Sequence, residues 1–280
     1  MQKSLGQRVM RRLLGARRFV QRTGTFREKE SFGLIDRPNY AYGLLRAADT
    51  AKFFGLNAVT ACEFGVATGR GLSNMADLAA QISEVTGVRF RVVGFDTGKG
   101  LLPPQGAKDH PELWSGGDFA MADSDALKRR LEGRAELVLG DIADTVGPFL
   151  DSVRPDCPLG FVAIDVDVYS ATVSALRALA GAHDLYLPAV SFYFDDIQFY
   201  FANEACGELA AIAEHNAARP LRPIDMDRSL PGWRPDSYSY SHWHRAMYVA
   251  HILDHPFRLA PRSRSGLSLE EHLKFIGNLR

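Results

Sequence analysis

Cysteine is scarce in this chain: Cys62, Cys157 and Cys206 are the three among 280 residues, widely spaced and without a CxxC or a Cys/His ligand spacing. That scarcity argues against a disulfide framework and against a zinc site, and it fits a reducing cytoplasm. Also lacking is any apolar run near the roughly 20 residues that span a bilayer, and no signal-peptide core opens the chain. The expectation is a cytoplasmic protein with no stable membrane insertion. Net charge is missing too, since 33 basic residues balance 33 acidic ones. The whole-molecule field that nucleic-acid binders carry is therefore absent, and a small-molecule partner fits better. No internal repeat or low-complexity tract is present.

One stretch departs from this balance. Within residues 1–35, Lys3, Arg8, Arg11, Arg12, Arg17, Arg18 and Arg22 are interleaved with Val9, Met10, Leu13, Leu14, Phe19 and Val20. The pattern reads as a basic amphipathic helix, suited to a membrane surface, an anionic substrate, or packing on the domain or on a second subunit of a homo-oligomer. It carries no catalytic expectation.

Apolar runs bounded by turn residues suit buried parallel strands, and six recur: Ala58 to Phe64, Phe90 to Phe95, Glu136 to Leu139, Gly160 to Ile164, Ala189 to Phe194 and Arg245 to Ile252. Between the first two, Leu72, Met75, Leu78, Ala79, Ile82 and Val85 repeat at helical spacing, with Gly87 as the stop. Further helices are expected around Val173, Leu176 and Leu179, and around Leu209, Ile212 and Ala213 behind a cap at Asn203. Alternating strand and helix predicts an α/β fold, a Rossmann-like, doubly wound, mostly parallel sheet in a single domain over 36–280. Two long aromatic-rich stretches, 98–123 with His110 and Trp114, and 219–244 with Trp233, Tyr238, Tyr240, His242 and Trp243, read as lid insertions. Tyr40, Tyr42, Trp114, Trp233 and Trp243 are candidate stacking surfaces for a substrate.

Ligands in such sheets bind beyond the carboxyl ends of the strands. The first strand runs into Glu63-Phe64-Gly65-Val66-Ala67-Thr68-Gly69-Arg70-Gly71, directly ahead of a helix. A glycine turn in that place also serves nicotinamide and flavin enzymes. Here the order is an acid and then G-x-x-x-G-x-G, which resembles motif I of class I S-adenosylmethionine-dependent methyltransferases. The second strand ends in Asp96, whose carboxylate suits both ribose hydroxyls. A third tip, Gly140-Asp141-Ile142, matches the place where these methyltransferases put an acid for the adenine amine and an apolar neighbour for its ring. The resemblance makes Glu63, Gly65, Ala67, Gly69, Asp96, Asp141 and Ile142 the cofactor-binding set. Taken singly, each acid also suits a turn or a helix cap.

The fourth and fifth strands end in Asp165-Val166-Asp167-Val168-Tyr169 and Asp195-Asp196. If these tips adjoin, four carboxylates converge and need a neutralising partner. A hard divalent cation with oxygen ligands, magnesium above all, meets that need and can orient and acidify a substrate hydroxyl. Asp-x-Asp-x-Tyr followed by Asp-Asp resembles the TylF/MycF group of metal-dependent O-methyltransferases of natural-product biosynthesis, as does Gly94-Phe95-Asp96-Thr97-Gly98-Lys99-Gly100-Leu101, over roughly Tyr40 to Asn216. The resemblance implies a class I methyltransferase fold, S-adenosylmethionine and Mg2+ as cofactors, and O-methylation of a sugar or similar hydroxyl-bearing small molecule. It makes Asp167, Asp195 and Asp196 metal ligands and leaves Asp165 as the catalytic base. The departures are Gly98-Lys99, where the group favours an aromatic and an acid, and Ile197-Gln198 after the Asp pair. Sequence leaves the roles of Asp165 and Asp167 exchangeable, and His110, His242 and His244 are alternative bases. A metal-independent methyltransferase, a nicotinamide oxidoreductase and a non-catalytic binding protein on the same fold are the competing readings.

Overall fold

Strands rich in valine, alanine and phenylalanine alternate with amphipathic helices through the chain, and the computed structural model, which describes residues 15–199, 201–230 and 242–259, assembles them around one sheet. The strands are β1 (Ala58–Phe64), β2 (Arg89–Asp96), β3 (Glu136–Leu139), β4 (Leu159–Ile164), β5 (Tyr186–Phe194), β6 (Ile224–Met226) and β7 (Met247–His251). Their order is β3-β2-β1-β4-β5-β7-β6. The pairs among β1 to β5 are parallel, while β7 runs antiparallel to β5 and to β6. Every residue of β1 and of β4 is buried, as expected for strands covered on both faces. Chain order reverses beside β1, whose neighbours are β2 and β4, and this reversal opens the crevice in which doubly wound folds bind ligands.

The helices are α1 (Phe26–Ser31), α2 (Pro38–Phe53), α3 (Arg70–Thr86), α4 (Ser124–Leu131), α5 (Ile142–Ser152), α6 (Tyr169–Leu176) and α7 (Gly207–Ala218). Helix α2 opens with proline at its first position and buries Tyr40, Leu44, Ala47, Ala48 and Ala51 against β1, β4 and β5. Helix α3 sets Leu72, Met75, Leu78, Ala79 and Ile82 inward and stops at left-handed Gly87. Helices α5, α6 and α7 form a second packed group. Phe64, Phe95, Phe161, Phe192 and Phe194 are wholly buried, and truncating any one to alanine would cost about 3–5 kcal/mol.

Two expectations are corrected. Asn203 does not cap α7; its side chain accepts from the Ala205 amide in a turn (2.8 Å), and the helix begins after Cys206 without a side-chain cap. The stretch 219–244 is not lid throughout, because Ile224–Met226 pairs with β7 and completes the sheet edge. Of the basic N-terminal segment, residues 15–23 are helical, while Lys3, Arg8, Arg11 and Arg12 lie outside the described residues, as do Trp233, Tyr238 and Tyr240. Among the described residues no helix is long and apolar enough to cross a membrane.

Candidate functional site

The turn after β1 is shaped by what its glycines avoid. Gly65 lies at φ +89°, and a Cβ there would fall 1.6 Å from the Asp165 carbonyl oxygen, so only glycine lets the β1 and β4 tips approach. At Gly71 a Cβ would lie 1.9 Å from Glu63 Oε1. The last glycine of the motif thus makes room for its first acid. Glu63 is 1% exposed and accepts from the Tyr40 hydroxyl at 2.5 Å, while its Oε2 has no partner. Burial pushes this carboxyl up to about 8 against the pull of the Tyr40 hydrogen bond, with the Asp165 charge adding to the rise. Gly69 caps α3 at φ +77°, with Leu127 and Arg130 beside it, and does not line the cavity.

Asp96 ends β2 and faces the loop. Its Oδ2 accepts from the Val66 and Ala67 amides (2.9 and 2.8 Å) and its Oδ1 from Gly98 (2.6 Å). A carboxylate offers roughly four acceptor positions, so about one is left for a ribose hydroxyl unless a loop amide moves away. Ala67 itself sits at φ +45°, a left-handed angle uncommon for a residue with a side chain. Asp141 caps α5 through the Ala143 amide (2.8 Å), so its helix-capping role and its place at the β3 tip coexist. Ile142 beside it is nearly buried.

Glu63, Gly65, Ala67, Gly71, Asp96, Asp141 and Ile142 line one cavity of about 390 Å³, which also takes in Asp165, Asp167 and Asp195. That volume lies within the range of small-molecule sites. Oxygens of Asp165, Asp195 and Asp196 come within 4.8 Å of one another, and Asp167 is outside that trio. Asp167 lies at φ +61°, with its amide donating to Asp196 Oδ2 (3.1 Å). Burial, followed by the charges of Asp195 and Asp196, lifts Asp165 to about 7. Burial and then Asp165 and Asp195 lift Asp167 to about 7, and burial with Asp167 and Asp195 does the same to Asp196. The Tyr193 hydroxyl donates to Asp195. This donor set, all oxygen and mutually repelling, fits a hard divalent cation.

Three participants carry no sequence signal of their own. Glu208, wholly buried at the start of α7, accepts from the Asp196 amide (2.9 Å) with Oε2 and leaves Oε1 unpartnered; burial and the Asp196 charge raise its pKa well above the carboxylate range. Arg37, in a left-handed conformation ahead of α2, lines the cavity and lies over the Tyr40 ring at 5.2 Å. Asp109, also buried, ties the 98–123 loop to α6 by accepting from the Gln105 and Ser170 amides (both 2.7 Å) and the Ser170 hydroxyl (2.8 Å). Its acceptors could be read as a turn signal, but its reach to Ser170 is a tertiary contact.

None of the three candidate histidines lines the large cavity. His110 pairs with Glu112 (2.9 Å) and lines a smaller crevice of about 20 Å³ with Asp167 and Asp196. His244 is buried against the Trp243 ring, and the His242 carbonyl accepts from Gln198. Two stacking candidates are corrected as well: Tyr40 and Tyr42 are buried, 0% and 8% exposed, with hydroxyls held by Glu63 and Asp227.

No protein-family model matches the sequence, and no curated protein matches it. Solved structures do. CalS11, a calicheamicin methyltransferase, is 23% identical over 74% of this chain and 77% of its own, with a TM-score of 0.51. The O-methyltransferase NovP is 15% identical over 76% and 79%, at 0.48. A CmcI structure with Mg and SAM is 16% identical over 74% and 70%, at 0.41. Of the three, CalS11 passes a TM-score of 0.5, and at that identity the likeness establishes the fold, a Rossmann-like fold shared with a methyltransferase.

Proposed function

We propose that the chain is an S-adenosylmethionine-dependent O-methyltransferase acting on a hydroxyl of a small molecule of natural-product type, assisted by a divalent metal. One observation carries the reading: the acidic tips of β1, β2 and β3, most of the glycine loop, and Asp165, Asp167 and Asp195 after β4 and β5 line a single cavity, with Asp196 within reach of Asp165 and Asp195. The first group suits an adenosyl-methionine, and the second suits the oxygen to be methylated. The fold held in common with CalS11, itself a methyltransferase, supports the class.

Asp96 would hold the ribose, releasing the Val66 or Ala67 amide when it takes both hydroxyls, and Asp141 with Ile142 would hold the adenine. Glu63 Oε2 would accept from the donor's ammonium group, and Arg37 would face its carboxylate. S-adenosylmethionine supplies the methyl group. In the reaction an O–C bond forms on the acceptor as the S–C bond breaks, and the hydroxyl proton passes to a carboxylate. Asp165, Asp195 and Asp196, the mutually close trio, would hold the cation, whose part is to neutralise them and anchor the acceptor oxygen. Asp167, at the wall shared by the cavity and the crevice, would take the proton. The resemblance makes Asp167 the ligand and Asp165 the base, with the two exchangeable; Asn variants decide between the two assignments, since the ligand's variant loses metal affinity and the base's variant loses turnover with metal affinity kept. Positioning of the two reactants supplies most of the acceleration, of the order of 7–11 kcal/mol, and the base a further ~10²–10⁴-fold.

The test is calorimetric titration with S-adenosylhomocysteine and with NAD, followed by methyl transfer with and without chelator. Binding of S-adenosylhomocysteine alone, with turnover abolished by chelation or by Asp195→Ala, is expected. Affinity for NAD in its place overturns the donor assignment, and undiminished turnover without metal overturns the metal role.

A further inference from the structure

We infer that the acceptor is an uncharged, hydroxyl-bearing aromatic ring system held on a platform of Trp114, Phe119 and Phe199, and not a nucleotide sugar held by its phosphates; this rests on the methyl-transfer reading above. The large cavity and the small crevice meet at Asp167, which lines both. Phe119 lies on the large side, and Trp114 and Phe199 lie on the small side. The Trp114 ring stacks on Phe199 (5.4 Å, 29°) and meets Phe119 at 5.9 Å and 58°. Three rings in contact therefore span the two cavities, whose common wall includes Asp167, the proposed base.

These rings do not serve the core. Phe119 is 55% exposed and Phe199 is 48% exposed, next to a wall otherwise rich in acids. Apolar surface left open at the rim of a polar site is characteristic of a recognition surface. The platform is also built rather than loose. Leu101 donates to the Asp118 carbonyl and Gly117 to the Leu101 carbonyl, both at 2.8 Å, closing the loop just before Phe119. Phe119 itself holds a left-handed φ of +61°, and Asp109 fastens the same loop to α6.

Charge selects among flat ligands. Asp118, Asp165, Asp167, Asp195, Asp196 and Glu208 crowd this half. Among the described residues lining the two cavities, the basic ones are Arg37 and Arg70 on the glycine-loop side and His110, already paired with Glu112. Lys108 nearby is committed to Glu214 and to the Tyr169 ring. Among the described lining residues, a diphosphate would meet in this half six carboxylates that one divalent cation neutralises only in part, whereas a neutral ring stacks on the aromatics and turns its hydroxyl toward Asp167.

The full chain, loaded with Mg2+ and S-adenosylhomocysteine, is titrated with 7-hydroxycoumarin and with TDP-glucose. The coumarin is expected to bind, to quench tryptophan fluorescence, and to bind roughly 3- to 10-fold more weakly to Phe119→Ala and to Phe199→Ala. Both variants change exposed rings and are expected to keep the melting temperature and the S-adenosylhomocysteine affinity. Failure of the coumarin to bind while S-adenosylhomocysteine binds, equal affinity in the variants, or tighter binding of TDP-glucose overturns the platform and leaves the methyl-transfer reading intact. Failure of S-adenosylhomocysteine itself to bind removes both. A self-associating chain whose mass falls in both variants shows the rings to be a subunit interface and overturns the proposal.

Discussion

The carboxylate cluster should make the protein, in the absence of metal, less stable as pH rises, opposite to the usual behaviour of salt-bridged acids. Asp165, Asp167 and Asp196 are each raised to about 7, where unfolded aspartates titrate near 4. Between these values the folded state binds more protons than the unfolded state, so stability is full below about pH 4 and is lost as pH climbs toward 7. The three titrate as a unit, and counting a single excess proton gives a slope of about −1.4 kcal/mol per pH unit. From pH 5 to pH 7 that is about 3 kcal/mol, or roughly 6–12 °C in melting temperature for a domain of this size. On the proposed metal site, a saturating divalent cation would bind the ionised cluster and only the folded state, so its stabilising increment should grow with pH. Thermal melts followed by circular dichroism, with chelator or with Mg2+ at pH 5, 6, 7 and 7.5, read both trends. A chelated melting temperature that stays flat or rises over this range refutes the reasoning, as does a Mg2+ increment equal at pH 5 and pH 7.5. Asp196→Asn should flatten the chelated profile.

Other perturbations have expected outcomes of their own. Gly65→Ala places a methyl on the Asp165 carbonyl in a left-handed backbone, so a loss of at least ~2 kcal/mol in urea unfolding and a more than tenfold loss of S-adenosylhomocysteine affinity are expected; near-native values would contradict the close approach. Asp109→Ala leaves the Gln105 and Ser170 amides without their acceptor and frees the loop from α6, which should cost about 1–3 kcal/mol and hasten proteolysis within 98–123 while α7 stays protected. Tyr40→Phe leaves both Glu63 oxygens unpaired, for about 1–3 kcal/mol by denaturant titration, and weakens S-adenosylhomocysteine more than 5′-methylthioadenosine, which lacks the amino acid end.

Buried parallel strands announce themselves as apolar runs, and β1 through β5 with their acidic tips were legible for that reason. What stayed hidden depends on weaker contrast or longer range. Helix α2 buries mostly alanine and tyrosine, so its stripe barely differs from its surroundings, though Pro38 marks its start. Helices α4 and α5 are short, and their signals are the caps Asp123 and Asp141, the second of which was read for its place at a strand tip. Strand β6 is three residues long and exists only because β7 offers an edge. Asn203 shows the limit of local chemistry, since the same side chain caps a turn as readily as a helix. Glu208 looks like an ordinary first-turn acid; its burial beneath Asp196 follows from the packing of α7.

The two hydrogen bonds that close the loop between Leu101 and Asp118 draw its ends together independently of the sheet, and one carboxylate, Asp109, rivets it to the body. Such a segment is an exchangeable cassette. Its interior can be rewritten, or replaced by one of another length, at a closure entropy that changes by only about 0.6 kcal/mol per doubling of length. On the proposed function, the strand tips that would position the donor need not alter when the acceptor changes, so new substrates can be explored by loop grafting on an unchanged strand framework.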